Sequence, residues 1–137
     1  MRYLGIDFGI KRVGLAVSSP SGSAFPLKTI NRTTREDLFD QILTVIKEEK
    51  IDALVIGIPL DPGNENSLTS RQIYNFKESL HRRVDIPIYT MNEAYTSIEA
   101  RSILAQNKMN KYRMKNNIDK VAAMLILESF LNQNSSE

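Results

Sequence analysis

Tyr3-Leu4-Gly5-Ile6-Asp7-Phe8-Gly9-Ile10-Lys11-Arg12-Val13-Gly14-Leu15-Ala16-Val17 is the stretch on which the reading of this chain turns. Residues 3–8 read as a buried strand. Residues 12–18 alternate Val13, Leu15 and Val17 with Gly14 and Ala16, and Gly9-Ile10-Lys11 between the two runs makes a hairpin. Side chains alternate across a strand, so Leu4, Ile6 and Phe8 point one way while Tyr3, Gly5 and Asp7 point the other. Asp7 is then a charge near the end of a buried strand, which is costly unless something pairs with it. Gly14 and Ala16 form a small-residue face on the neighbouring strand. Such a face lets a helix pack closely over Asp7's side of the sheet.

Outward from this hairpin, Ser18-Ser19-Pro20-Ser21-Gly22 is a second turn, and a third strand follows from Ala24 to Ile30. Thr33 to Glu36 matches a capping box. Beyond it Leu38, Phe39, Ile42, Leu43, Val45 and Ile46 recur at helical spacing as far as Lys50. Ala53-Leu54-Val55-Ile56-Gly57-Ile58 is a continuous apolar run, as in a parallel strand covered on both faces. After a loop at Pro59 to Asn64, a helix is predicted from Ser67 to Arg83 and a short strand from Ile86 to Tyr89. A capping box at Thr96 to Glu99 opens a helix to about Gln106. A last helix is predicted from about Ile118 to Leu131, followed by a frayed tail. Right-handed crossovers put the fourth and fifth strands parallel to the first. The expected fold is therefore α/β: a mixed five-stranded sheet, three antiparallel N-terminal strands plus two parallel ones, with helices on both faces. Ligands of such sheets gather at the carboxyl ends of the parallel strands.

The 137 residues correspond to one domain, 1–137, with enough chain for a real core. The absence of cysteine removes disulfides, thiolate zinc sites and cysteine nucleophiles. No apolar run reaches about 18 residues, so no membrane span is expected. The first strand begins almost at Met1, which leaves no room for a signal peptide; a cytoplasmic location is the expectation. A net charge of +2 does not by itself indicate nucleic acid, but its distribution is informative. Asn107 to Asn117 carries Lys108, Lys111, Arg113 and Lys115 around Tyr112, with no acid. This segment reads either as a solvated loop or as a phosphate-contacting arm with one ring for stacking.

Two further carboxylates have positions that suit Asp7. Asp119, Ala122, Ala123, Ile126 and Phe130 follow the i, i+3, i+4, i+7, i+11 spacing of one helix face, so Asp119 continues an apolar stripe. It reads equally as a first-turn acid favoured by the helix dipole, with Asn116 as N-cap. Glu93 follows the fifth strand and belongs at the same carboxyl edge as Asp7; taken alone it reads as a loop glutamate. Carboxylate-rich, histidine-free sites suit Mg²⁺ or Mn²⁺. Two such ions about 4 Å apart support phosphodiester cleavage. The single histidine, His81, beside Arg82 and Arg83 at a helix end, reads as a C-terminal cap. No Walker A sequence exists, and Asp7-Phe8-Gly9 lacks every other kinase element.

At this point the chain resembles a known family. Leu4 to Ala16 is similar to the opening motif of the YqgF/RuvX family, the pre-16S rRNA nucleases also called Holliday junction resolvase-like proteins. Val55-Ile56-Gly57-Ile58-Pro59-Leu60 resembles its second motif and Asn92-Glu93-Ala94-Tyr95-Thr96-Ser97 its third. Ile118-Asp119-Lys120-Val121-Ala122-Ala123-Met124-Leu125-Ile126-Leu127 resembles its last. The resemblance implies a ribonuclease H-like fold and a metal-dependent nuclease of the RuvC type, with Asp7, Glu93 and Asp119 as catalytic acids and ligands of Mg²⁺ or Mn²⁺. Lys11 and Arg12 match its basic pair after the first strand. In the third motif Asn92 stands in place of an acid and Ala94 in place of an arginine. The substrate implied is the 5′ end of pre-16S rRNA, with association with the ribosome. The nearest alternative is a four-way DNA junction, whose symmetric cutting calls for a homodimer. Two other classes compete: a non-catalytic nucleic-acid-binding or ribosome-assembly factor, and an actin-like ATPase or sugar kinase, which needs two such domains.

Overall fold

The computed structural model describes residues 1–58, 70–92 and 111–135. Its centre is β1 (Tyr3–Phe8), flanked by β2 (Arg12–Ser18) on one side and β4 (Ala53–Ile58) on the other; β3 (Ala24–Asn31) and β5 (Ile88–Asn92) form the edges. The order β3-β2-β1-β4-β5 joins an antiparallel half to a parallel half. This is the mixed sheet expected from the hairpins and the crossovers. Helices α1 (Arg35–Glu48), α2 (Ser70–His81) and α3 (Lys111–Ser135) complete the described elements.

The period of two in β1 and β2 divides the molecule into layers. Leu4, Ile6, Phe8, Val13, Leu15 and Val17 join Leu38, Phe39 and Ile42 of α1 and Ile73, Phe76 and Leu80 of α2 in one buried cluster. Ala16 and Val55 face the other way and pack with Ala123, Ile126, Leu127 and Phe130 of α3. Burying each large apolar side chain contributes roughly 1.5–3 kcal/mol, so each helix is assigned its face by several such side chains at once. The small-residue face is what seats α3. A Cβ placed on Gly14 would overlap the main-chain oxygen of Asp119, and one on Gly5 would come 2.9 Å from the oxygen of Ala123.

Several boundaries differ from the sequence reading. The N-cap of α1 is Thr34, whose hydroxyl accepts the Asp37 N–H at 3.1 Å, rather than Thr33; the Thr33 hydroxyl donates instead to the Asp37 carboxylate. β5 begins at Ile88, not Ile86. Pro87 has no N–H to give a ladder, and only its carbonyl is used, by the Leu54 N–H. The predicted start of α2 at Ser67 and the helix predicted from Thr96 lie outside the described residues. α3 is longer than the predicted helix at both ends. Asn116 is inside it, and the segment from Lys111 to Lys115 is helical rather than a loop. That segment holds no Gly or Pro and is rich in helix-favouring Lys, Arg and Met; at the other end Leu131 still packs on the core.

Gly14→Ala is expected to destabilise the fold by about 3 kcal/mol, the upper range for overpacking, because the overlap is with backbone. Thr34→Ala should cost about 1 kcal/mol. Urea midpoints of the two variants against the parent check both, and a Gly14→Ala midpoint equal to the parent's would contradict the close contact.

Candidate active site

Asp7 and Gly14 are direct partners in the antiparallel β1–β2 ladder. Opposed residues of such a pair project on the same face. The face at Gly14 is the one covered by the Asp119 main chain. Asp7 is thus set beside the turn of α3 that carries Asp119. Asp7 is half-buried and is partnered within the fold, as a charge on that strand must be.

Asp119 lies eight positions after Lys111 within α3. The helix-dipole explanation for it is therefore set aside, since that effect fades beyond the first turn. Its stripe is as expected, with Ala122, Ala123, Ile126 and Phe130 all buried. The Asp119 side chain is 19% exposed, and its Oδ2 accepts a hydrogen bond from Arg12 Nε at 2.7 Å. Arg12 opens β2, so this charge-assisted bond ties the first hairpin to the last helix.

The hairpin turn is closed by the Gly9 N–H donating to the Arg12 carbonyl at 2.9 Å. Arg32 holds it from outside. Its Nη1 donates to the Gly9 and Ile10 carbonyls at 2.9 and 3.0 Å, its own N–H donates to the Lys11 carbonyl, and its guanidinium lies 4.7 Å from the centroid of Phe8. Sequence reasoning missed Arg32. The usable signal was the β2–β3 pairing, which sets Asn31 opposite Arg12 and so brings the next residue to the turn. Lys11 is exposed on that turn.

Glu93 lies outside the described residues, as does Lys108. The register places β5 usefully all the same: Ile6 of β1 aligns with Ile56 of β4, and Ile56 with Thr90 of β5, which runs on to Asn92. Glu93 is next in the chain after that strand end. β1 and β5 are separated by one strand, or about 10 Å. Lys111, Tyr112, Arg113 and Lys115 lie on α3, four to eight residues before Asp119. At 1.5 Å per residue they extend about 6 to 12 Å along the axis from it.

Asp7 and Asp119 supply hard oxygen donors, the type that suits Mg²⁺ or Mn²⁺. Among the described residues no group of three or more acidic or histidine side chains gathers in one place; the third carboxylate of the expected set is Glu93. Arg12 already occupies Oδ2 of Asp119, so an ion bound there would use the other carboxylate oxygen or displace the guanidinium. The donor set present is compatible with a divalent ion.

A family model described as RuvX, Holliday junction resolvase, matches residues 1–133. The chain is 46% identical over 132 residues to a protein of Maridesulfovibrio salexigens, covering 96% of this chain and 98% of that one. It is 44% identical over 133 residues to one of Nitratidesulfovibrio vulgaris, covering 96% and 94%. Both relatives are provisionally named pre-16S rRNA nuclease. Among solved structures, T. thermophilus RuvC in complex with a Holliday junction substrate superposes with a TM-score of 0.64 at 16% identity, covering 98% of this chain and 96% of that one. Fowlpox virus resolvase with Holliday junction DNA gives 0.59 at 12%, covering 98% and 99%. The fold is thus the ribonuclease H-like fold of these resolvases, and the chain belongs to the RuvX family.

The Arg12–Asp119 pair is open to a double-mutant cycle. Arg12→Ala, Asp119→Ala and the double variant should give a coupling of about 0.5–1 kcal/mol, as for a partly exposed ion pair, weakening as salt rises. Zero coupling at low salt would show that the pair does not form in solution.

Proposed function

We propose that this chain, as a member of the RuvX family, is a single-domain, metal-dependent endonuclease that hydrolyses phosphodiester bonds in structured nucleic acid. The observation that carries the reading is the convergence at Gly14: the cross-strand partner of Asp7 lies directly beneath the backbone of Asp119. Asp7, Asp119 and Glu93 would hold Mg²⁺ or Mn²⁺. Such ions supply an activated water and stabilise the leaving oxygen when bound. The carboxylates themselves fix the geometry, Asp7 from a strand locked in a five-stranded sheet and Asp119 from a helix seated on glycine.

Lys11 and Arg12 would meet substrate phosphate. Arg12 uses Nε on Asp119, and among the described residues its two terminal amino groups are left to carry a phosphate, so one guanidinium would serve both tasks. Lys108, Lys111, Arg113 and Lys115 extend the contact along the phosphate backbone, and Tyr112 supplies a stacking ring. The names of the relatives favour the 5′ end of pre-16S rRNA as substrate, with action in the cytoplasm and association with the ribosome. The family description and the junction-bound structures favour the second reading, four-way DNA junctions cut by a homodimer. No helix among the described residues is long and apolar enough to cross a membrane.

The test is cleavage of a pre-16S rRNA 5′ segment and of a four-way DNA junction, side by side at one stated salt and with added Mg²⁺ or Mn²⁺. Asp7→Asn should lower the rate at least about 100-fold, the scale of several kcal/mol of transition-state stabilisation, with an unchanged thermal midpoint. Chelation should abolish the parent's activity and either ion should restore it. A folded Asp7→Asn protein that cleaves at the parental rate would overturn the proposal.

A further inference from the structure

The sheet face opposite Asp7 carries a group of cations that the site above does not use. Arg32, Arg35, Arg82 and Arg83 are all exposed. Among the described residues none of the four forms an ion pair with a carboxylate. They are nevertheless fixed in place. Phe8 stacks on Phe76 with centroids 4.0 Å apart, and Phe76 on Phe39 at 5.7 Å, so three rings form a column in the α1/α2 layer. The Arg32 guanidinium lies 4.7 Å from the Phe8 centroid; those of Arg35 and Arg83 lie 5.5 and 4.2 Å from that of Phe39. Arg35 and Arg82 both donate to the hydroxyl of Ser79, which is 1% exposed, and Arg83 Nη1 donates to the Ser79 carbonyl at 2.8 Å.

Among the described residues, rings, a hydroxyl and a carbonyl orient these guanidinium groups without supplying a formal countercharge. Four cations without a direct carboxylate partner among the described residues stand on one face of a chain whose whole net charge is +2. Cation–ring contacts help to hold them there, and the positive charge stays at the surface, where an anion can reach it. A cleft of about 230 Å³ opens between Arg32, Arg35, Gln72 and Asn75, with Phe8 and Phe76 beneath. Both rings are buried and offer no face on which a base could stack. The cleft and its surround therefore suit phosphate oxygens, which guanidinium forks bind in pairs, rather than bases. The surface is also continuous with the hairpin, since Arg32 is bonded to the carbonyls of Gly9 and Ile10 beside Lys11 and Arg12.

We propose that Arg35, Arg82 and Arg83, together with Arg32, form a second phosphate-binding surface on the α1/α2 face. It holds a segment of nucleic-acid backbone that flanks the cleaved bond and wraps from the hairpin edge to the back of the sheet. The proposal rests on the nuclease reading for its ligand but uses none of the residues assigned to chemistry. The test compares the parent with Arg35→Gln/Arg82→Gln/Arg83→Gln, in which the glutamines keep a hydrogen-bond donor for Ser79. The probe is a labelled RNA hairpin with single-stranded flanks, titrated without divalent ions at several salt concentrations. The slope of log affinity against log salt should fall by about 2, and the affinity at low salt roughly 10- to 100-fold. Cleavage in a single turnover at saturating protein should remain at the parental rate. An unchanged slope in a folded variant overturns the surface, as does equal competition by poly-glutamate and unlabelled RNA, which would indicate an acidic protein partner instead. Should the triple variant not fold, dicarbonyl labelling of arginines in the parent decides: the RNA protects Arg83 and Arg35, or the surface is refuted. If Asp7→Asn cleaves at the parental rate, the proposed catalytic site fails while the salt-slope result stands; if Asp7→Asn is inactive and the slope is unchanged, only this surface fails.

Discussion

The approach of α3 to β2 at Gly14 is the constraint on which the arrangement of this molecule depends. Helices usually rest on sheets through interleaved side chains, which leave some freedom of rotation. Here the carbonyl oxygen of Asp119 occupies the space where a Cβ of residue 14 would stand, so the contact is backbone on backbone. The buried residues Ala123, Ile126, Leu127 and Phe130 continue the same seam and hold the helix in rotational phase. Together these contacts determine which side of α3 meets the sheet, and they place Asp119 at the level of Asp7. A side chain at position 14 could be accommodated only if the Asp119 backbone moved away from β2.

β1 does the complementary work. Its alternation sends Leu4, Ile6 and Phe8 into the core with α1 and α2, and leaves Gly5 and Asp7 to face α3. A slip of one residue would exchange the two sets. Asp7 would enter an apolar layer, and the three large side chains would meet a helix packed too closely to admit them. The penalty for a buried carboxylate adds to the lost burial, so the position of the acid is protected by the same side chains that form the core.

Much of this was legible in the sequence because it depends on local periodicity. The strands around Gly9, the apolar run from Ala53 to Ile58 and the helical phase from Asp119 to Phe130 each carry their own pattern. From these the mixed sheet follows, and so does the meeting of Asp7 with the helix over Gly14 and Ala16. What was not legible depends on partners far apart in the chain. Nothing around Arg12 announces its bond to Asp119, and nothing around Arg32 announces its bonds to the turn carbonyls. The extent of α3 was underestimated because Lys111 to Asn117 is polar and ends in two asparagines, which resembles a loop. Its helix-favouring composition and the downstream packing determine the outcome instead. Thr33 and Thr34 are both chemically able to cap α1, and only the local backbone, extended at Thr34, decides between them.

The arginines show a division that charge counting does not reveal. Arg2 and Arg12 bond to carboxylates, Glu49 and Asp119, at 2.6 and 2.7 Å. Arg32, Arg35 and Arg83 instead lie over aromatic rings, and Arg82 and Arg83 donate to Ser79. A carboxylate orients a guanidinium and offsets part of its charge; a ring or a carbonyl orients it without a formal countercharge. Of the two carboxylate pairs, Arg2–Glu49 joins β1's start to the end of α1, where it braces the fold. Arg12–Asp119 stands at the proposed catalytic edge, where the bond uses only one of the guanidinium's donors. Any phosphate drawn to Arg12 there arrives beside Asp119 and on the face shared with Asp7. Under the proposed function, the ion pair that fastens the hairpin to the helix would also set where a substrate phosphate meets the two acids.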